Sequence, residues 1–216
     1  FVPESHMLKP YDQRVKGTYA LMQSFIEFTS RNSAMIRSLR QQTKDAVKWQ
    51  AEFPVSWALD RTQFKEVQYK GYEAGRKPSE VSGLPRLYYD RSKPFEKTVK
   101  IFNTYTVKST VKKSTAYIIP QGWWKVIELL QLNKVQMRQL KKDTVIRVEV
   151  YRIDAYKTLP RQYEMHHLNS DVKISVQEQA MSFRKGDWFI PMNQVANRFL
   201  VETLEPQAED SYFAWN

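Results

Sequence analysis

Over the first fifty residues, apolar side chains return every three or four positions. Val15, Tyr19, Met22, Phe25 and Ile26 follow Pro10 at that spacing, which predicts an amphipathic helix to about Phe28. Asp12 stands where a carboxylate accepts the free N–H groups of a first turn or balances its dipole. Ile36, Leu39, Thr43, Ala46 and Val47 then mark the buried stripe of a second helix, capped by Asn32 or Ser33 and ended before Pro54.

Past about Asp60 the period drops from 3.6 to 2. Val99, Ile101, Tyr105 and Val107 alternate with Lys100, Thr104, Thr106 and Lys108. Ile146, Val148 and Val150 alternate with Arg147, Glu149 and Tyr151, and Val172, Ile174 and Val176 with Lys173, Ser175 and Gln177. Such strands bury one face and wet the other, which favours antiparallel pairing of the β-sandwich kind. The expected fold is α+β: a pair of helices over residues 1–60, then a mainly antiparallel β domain over 61–216.

Two stretches inside that domain share one plan. TAYIIPQGWWKVIELL (115–130) and GDWFIPMNQVANRFLVETL (186–204) each run from a short apolar strand through Ile-Pro into an amphipathic helix. Proline fixes its own φ and removes a donor, so Pro120 and Pro191 make sharp strand exits. The helices are expected to bury Val126, Ile127 and Leu130 in the first unit and Val195, Phe199 and Leu204 in the second. Two copies are compatible with duplication and equally with similar local packing. Trp123, Trp124 and Trp188 are expected in the core, or at an interface if exposed.

Composition narrows the classes. With 216 residues and 42% apolar content the chain can build a core. Its longest apolar runs span a few residues, far short of the roughly 20 a membrane helix needs, so no membrane span is expected. It opens on Phe1 and not on an initiator Met, so a piece of a longer protein is expected, with any targeting segment upstream. There is no cysteine, which leaves only His, Asp and Glu as metal ligands. The net charge of +11 is uneven: residues 1–60 carry 8 basic and 6 acidic side chains, 61–113 carry 13 and 5, and 114–216 carry 13 and 12.

That surplus lies in RLYYDRSKPFEKTVKIFNTYTVKSTVKK (86–113), where cations are mixed with Tyr88, Tyr89, Phe95, Phe102 and Tyr105. Cations beside stackable rings suit a single-stranded polyanion. Lysines along an edge strand also keep it from aggregating, and no nucleic-acid motif accompanies the strip, so nucleic acid is not the expected partner.

Glu4 is the leading catalytic candidate. A glutamate beside a metal-bound water takes its proton and passes it to the leaving amine. Pro3 biases Val2 towards extended backbone, so a strand end turning into a helix would present Glu4. The alternative is a solvated charge near a helix N-terminus. The histidines do not form a metal motif: His166 and His167 are adjacent and diverge, His6 stands alone, and neither His-x-x-Glu nor His-x-x-x-His occurs. Surface or hydrogen-bonded structural roles are expected for all three. Gly-x-Ser-x-Gly, Gly-x-x-x-x-Gly-Lys-Ser/Thr and Gly-x-Gly-x-x-Gly are absent from a chain with only 6 glycines, which makes a nucleotide enzyme a poor fit.

The two ends carry a family resemblance. ESHMLKPYDQRVKGTY, comprising Glu4 to Tyr11 with Arg14 and Val15, resembles the segment that closes the peptidase domain in a bacterial branch of the zinc carboxypeptidases, relatives of carboxypeptidase A. FRKGDWFIPMNQVANRFLVETLEPQAEDSYFAWN, with Leu204 to Pro206, Asp210 and Ser211, and Trp215 and Asn216, resembles the end of that branch's β-rich extension. Better-known carboxypeptidases follow the glutamate with a Gly-Tyr-Gly-Phe-type segment, where this chain has Ser5, His6, Met7 and Leu8. The resemblance implies the C-terminal portion of a zinc-dependent enzyme that removes C-terminal residues from peptides, with Glu4 as general base and acid. It places the zinc ligands upstream, so no metal is expected on this segment, which alone should be inactive. It also implies a secreted or periplasmic location. The competing expectation is a non-catalytic β-rich module that binds an acidic polymer through residues 86–113.

Overall fold

The computed structural model describes residues 2–5, 7 and 9–215. Pro10, extended at ψ 147°, leads into α1 (Tyr11–Arg31). No side chain caps this helix; Asp12 instead pairs with Lys16 one turn on, at 3.7 Å, on the side where a negative charge offsets the dipole. Asn32 alone separates α1 from α2 (Ser33–Trp49). It does not cap α2 as expected: its side-chain amide and backbone N–H both donate back to Phe28 O, at 2.9 and 3.0 Å. The Asn32 carbonyl accepts from Ile36 N–H at 2.9 Å, so the ladder runs on through the break. The result is a helical arm about 58 Å long if straight.

The arm contains no buried residue. On α1, Val15 is 48% exposed, Tyr19 62%, Met22 57% and Ile26 68%. Of the stripe expected to be buried on α2, Ile36 and Val47 are half-buried, whereas Leu39, Thr43 and Ala46 face solvent. The period was right and the burial was not, because an amphipathic face is covered only where a second layer lies against it. Among the described residues that happens at the C-terminal end, where Val47 meets the core.

The core gathers around the two Ile-Pro units. Strands β5 (Ala116–Ile119) and β9 (Trp188–Pro191) pair antiparallel, Tyr117 opposite Ile190 and Ile119 opposite Trp188, so the repeated strands are neighbours in one sheet. The two-residue β6 (Arg138–Gln139) adds to the far edge of β9. Helices α3 (Trp124–Leu132) and α4 (Asn197–Leu204) follow the strands and bury Ile127 and Leu130, and Leu200 and Val201. Phe53 and Val55 of β1 (Glu52–Leu59) and Val111 of β4 (Tyr105–Lys112) join the cluster from a second antiparallel pair. β1 thus lies before residue 60 yet pairs with a strand from well beyond it. Val195 is not buried as expected but 48% exposed, since α4 begins only at Asn197; Phe199 and Leu204 pack at the cluster's margin. Trp188 packs there too, whereas Trp123 and Trp124 are 64% and 61% exposed instead of buried.

The remaining strands form two long ribbons. β2 (Lys65–Pro78) pairs only with β3 (Pro85–Ile101), and β7 (Thr144–Thr158) only with β8 (Asn169–Phe183), all antiparallel. This corrects the sandwich expectation: among the described residues the sheets are three two-stranded ribbons and one three-stranded sheet. The alternating run 99–108 is accordingly split, its first part in β3 and its second in β4. The chain as a whole exposes 17110 Å², against about 10,400 Å² for a compact chain of this mass, because arm and ribbons project from the core.

Candidate functional site

Glu4 lies in a stretch, residues 2–5, that is neither helix nor strand, so the strand end expected there does not form. It is exposed, ahead of α1. His6 lies outside the described residues. His166 and His167 sit at the far end of the β7–β8 ribbon, in the turn where Tyr163 and His166 bridge and Glu164 and Met165 adopt φ of 49° and 68°. His166 packs edge-on to Trp215 with ring centroids 5.7 Å apart, and His167 Nδ1 is 2.9 Å from Leu159 O. Both histidines are exposed. Among the described residues no group of three His, Asp or Glu is placed to hold a metal.

The basic strip is divided between β3 and β4. Two of its rings lie under cations, Tyr88 under Lys77 at 5.4 Å and Phe95 under Lys97 at 5.5 Å, while Lys100 lies over Phe64, outside the strip, at 4.0 Å. Lys108 pairs with Asp171 at 3.6 Å, and Glu96 holds Lys70 at 2.7 Å. Register sorts the proximal half of β2–β3 into two unlike faces. Val67 and Val99, Tyr69 and Lys97, and Gly71 and Phe95 share one; Glu66 and Lys100, Gln68 and Thr98, and Lys70 and Glu96 share the other. A Cβ at Gly71 would lie 2.7 Å from the Phe95 ring that covers it, so that ring would have to shift. The cations thus line a thin ribbon, not the walls of a groove.

A third cluster escaped the sequence reading altogether. Glu205, just past α4, is 1% exposed and accepts a hydrogen bond at Oε1 from the Tyr117 hydroxyl of β5. Its Oε2 is buried without a hydrogen-bond partner. Burial holds this carboxyl above the ordinary carboxylate range, against the opposing pull of the Tyr117 and Tyr151 hydroxyls. Burial, reinforced by the Glu205 charge, likewise pushes both tyrosines up. The nearby junction is equally polar. Gln194 closes onto the backbone of Gln136, donating to its carbonyl at 2.9 Å and accepting from its N–H at 2.7 Å. The Asn197 amide donates to Met192 O at 3.0 Å and to Val47 O at 3.2 Å, which ties the arm to α4. Lys113 Nζ reinforces that tie on Lys48 O at 2.8 Å. The available signal was the polar run Asn193-Gln194 and Asn197 directly behind an apolar strand, where buried amides must serve backbone groups.

Comparison with models of known families, with curated proteins and with solved structures returned no match.

Proposed function

We propose that this chain is the C-terminal portion of a zinc-dependent metallocarboxypeptidase, with Glu4 as the carboxylate that accepts and returns the proton when a peptide's terminal bond is hydrolysed. The observation that carries this reading is the arm directly behind Glu4. Two helices with the apolar period of a packed layer leave that layer bare along Val15, Tyr19, Met22 and Ile26, which is the surface a larger α/β domain would cover. The residues quoted at both ends of the chain supply the family. The zinc in this reading is held by side chains outside these 216 residues; this chain's share of the chemistry is the Glu4 carboxylate and the β-rich extension. A secreted or periplasmic location belongs to the same proposal.

A second reading, a module that binds an acidic polymer, is favoured by the ten basic and five acidic side chains between residues 61 and 101. It is weakened by the engagement of four of those cations, Lys77, Lys97 and Lys100 over rings and Lys70 with Glu96.

The deciding experiment reads the coding sequence ahead of the Phe1 codon and expresses the longer chain. A His-x-x-Glu and a later His are expected upstream, together with release of C-terminal residues from peptides. Glu4→Gln should cut that rate by at least about a hundredfold with the fold intact. A frame without those ligands, or a Glu4→Gln enzyme as fast as its parent, overturns the assignment.

A further inference from the structure

The end of the β2–β3 ribbon lies about 45 Å from its base at 3.4 Å per residue. Apolar side chains are concentrated there: Val81 is 98% exposed, Leu84 68% and Leu87 54%. Their backbone is closed on itself. The N–H groups of Val81 and Ser82 donate to Ser79 Oγ at 3.3 and 3.4 Å, that of Gly83 to Ser79 O at 2.9 Å, and that of Leu84 to Ser82 Oγ at 3.4 Å. Ser79 N–H closes the turn on Leu84 O at 2.9 Å, and Gly83 supplies the left-handed φ of 68° that the turn requires. Four consecutive N–H groups therefore reach the tip already satisfied, which lowers the cost of moving it out of water.

Cations stand just behind the apolar tip. Lys77 is opposite Arg86 in the ladder and Arg76 opposite Leu87, and between residues 76 and 89 the one carboxylate is Glu80. Apolar residues ahead of a cationic collar match, in order, the acyl boundary and the phosphates of an anionic bilayer. We propose that this tip docks on an anionic lipid surface, with Val81 and Leu84 entering between the headgroups while Arg76, Lys77 and Arg86 meet the lipid phosphates. A soluble polyanion would use the cations and leave Val81 and Leu84 in water. A second copy would bring a like-charged ribbon against this one. The docking is peripheral: among the described residues no helix is long and apolar enough to cross a membrane. It does not depend on the peptidase reading.

The test is co-sedimentation of the 216-residue protein with phosphatidylcholine vesicles and with vesicles containing roughly one-third phosphatidylserine or phosphatidylglycerol. Binding to the anionic vesicles is expected, at least about tenfold tighter than to neutral ones and weakened by salt. Val81→Asp with Leu84→Asp should lower it by about tenfold or more, with unchanged thermal unfolding because both side chains are exposed. Lys77→Glu with Arg86→Glu should weaken it as well. The Val81→Trp protein, measured against its parent, should gain emission that shifts to the blue on anionic vesicles. No sedimentation with anionic vesicles, full binding by the double Asp variant, or an unshifted emission from the Val81→Trp protein once bound each overturns the proposal. Heparin capture indifferent to Val81 and Leu84, without vesicle binding, would assign the ribbon to a polyanion instead.

Discussion

The two long ribbons are built alike and situated differently. Both are antiparallel pairs of 14 to 17 residues per strand, with apolar and polar positions alternating. Along β7–β8 the C-terminal segment lies against the ladder. Asn169 N–H donates to Ala214 O at 2.8 Å and its amide to Phe213 O at 2.9 Å, Tyr156 meets Phe213 edge-on at 5.2 Å, and His166 meets Trp215. Along β2–β3 the cross-strand side-chain contacts stay within the ribbon, from Gln68 with Thr98 to Lys70 with Glu96 and Lys93 with Glu73. A two-stranded ribbon is marginal by itself in water. The difference teaches that alternation specifies the strand, while a neighbouring segment decides whether the strand becomes part of a core or stays a projection.

Removing that neighbour should make the ribbons alike. With Phe213→Ala and Trp215→Ala together, amide exchange in the distal half of β7–β8 should quicken on the order of a hundredfold, equivalent to about 3 kcal/mol of local stability. Exchange in β2–β3 should not change. The measurement is residue-resolved hydrogen exchange by mass spectrometry, and equal protection before and after would mean that the C-terminal segment does not hold the ribbon.

Legibility followed sequence distance. Ile146, Val148 and Val150 lie half-buried with Arg147 and Glu149 exposed, as the alternation required, and Ile127 and Leu130 fill the core from the helix expected after Pro120. These are local patterns. Glu205 was not legible as a buried acid because its partner Tyr117 is 88 residues away, and the two meet only through the antiparallel pairing of the Ile-Pro strands and the return of α4. Val195 was misplaced because α4 begins only at Asn197, behind a turn in which the Gln194 and Asn197 amides bond Gln136, Met192 and Val47. At Glu4 the sequence offered a residue and a resemblance but no geometry, and the structure adds the bare arm behind it. The stripe on that arm was read correctly as periodicity, although periodicity says nothing about whether a covering layer belongs to the same 216 residues.

Glu205 sharpens the contrast, since Tyr151 brings β7 to it and β2–β3 has no such buried anchor. Its folded carboxyl sits above the ordinary range, so folding favours the protonated form. The associated stability is fully present below the unfolded pKa and is lost as pH rises through the folded one. Glu205→Gln removes that dependence while keeping an acceptor for the Tyr117 hydroxyl. Relative to the variant, the parent should lose stability on going from mildly acidic to neutral pH. Urea unfolding of both proteins across that window checks it; parallel pH profiles would show that Glu205 is charged and satisfied throughout.

The finest test substitutes one apolar residue by threonine in each ribbon, keeping β-branching and strand propensity constant. Ile153 is half-buried opposite Ile174, on the face of β7 that also carries Tyr151. Val67, opposite Val99 in β2–β3, is 36% exposed on a face with no second layer over it. Ile153→Thr should cost about 1 to 2 kcal/mol, because it gives up covered apolar area and places a hydroxyl where water is partly excluded. Val67→Thr should stay within about 0.5 kcal/mol, as for other surface positions. Denaturant unfolding of the two single variants measures both. A large loss at Val67 would mean that the apolar face of β2–β3 is covered in solution.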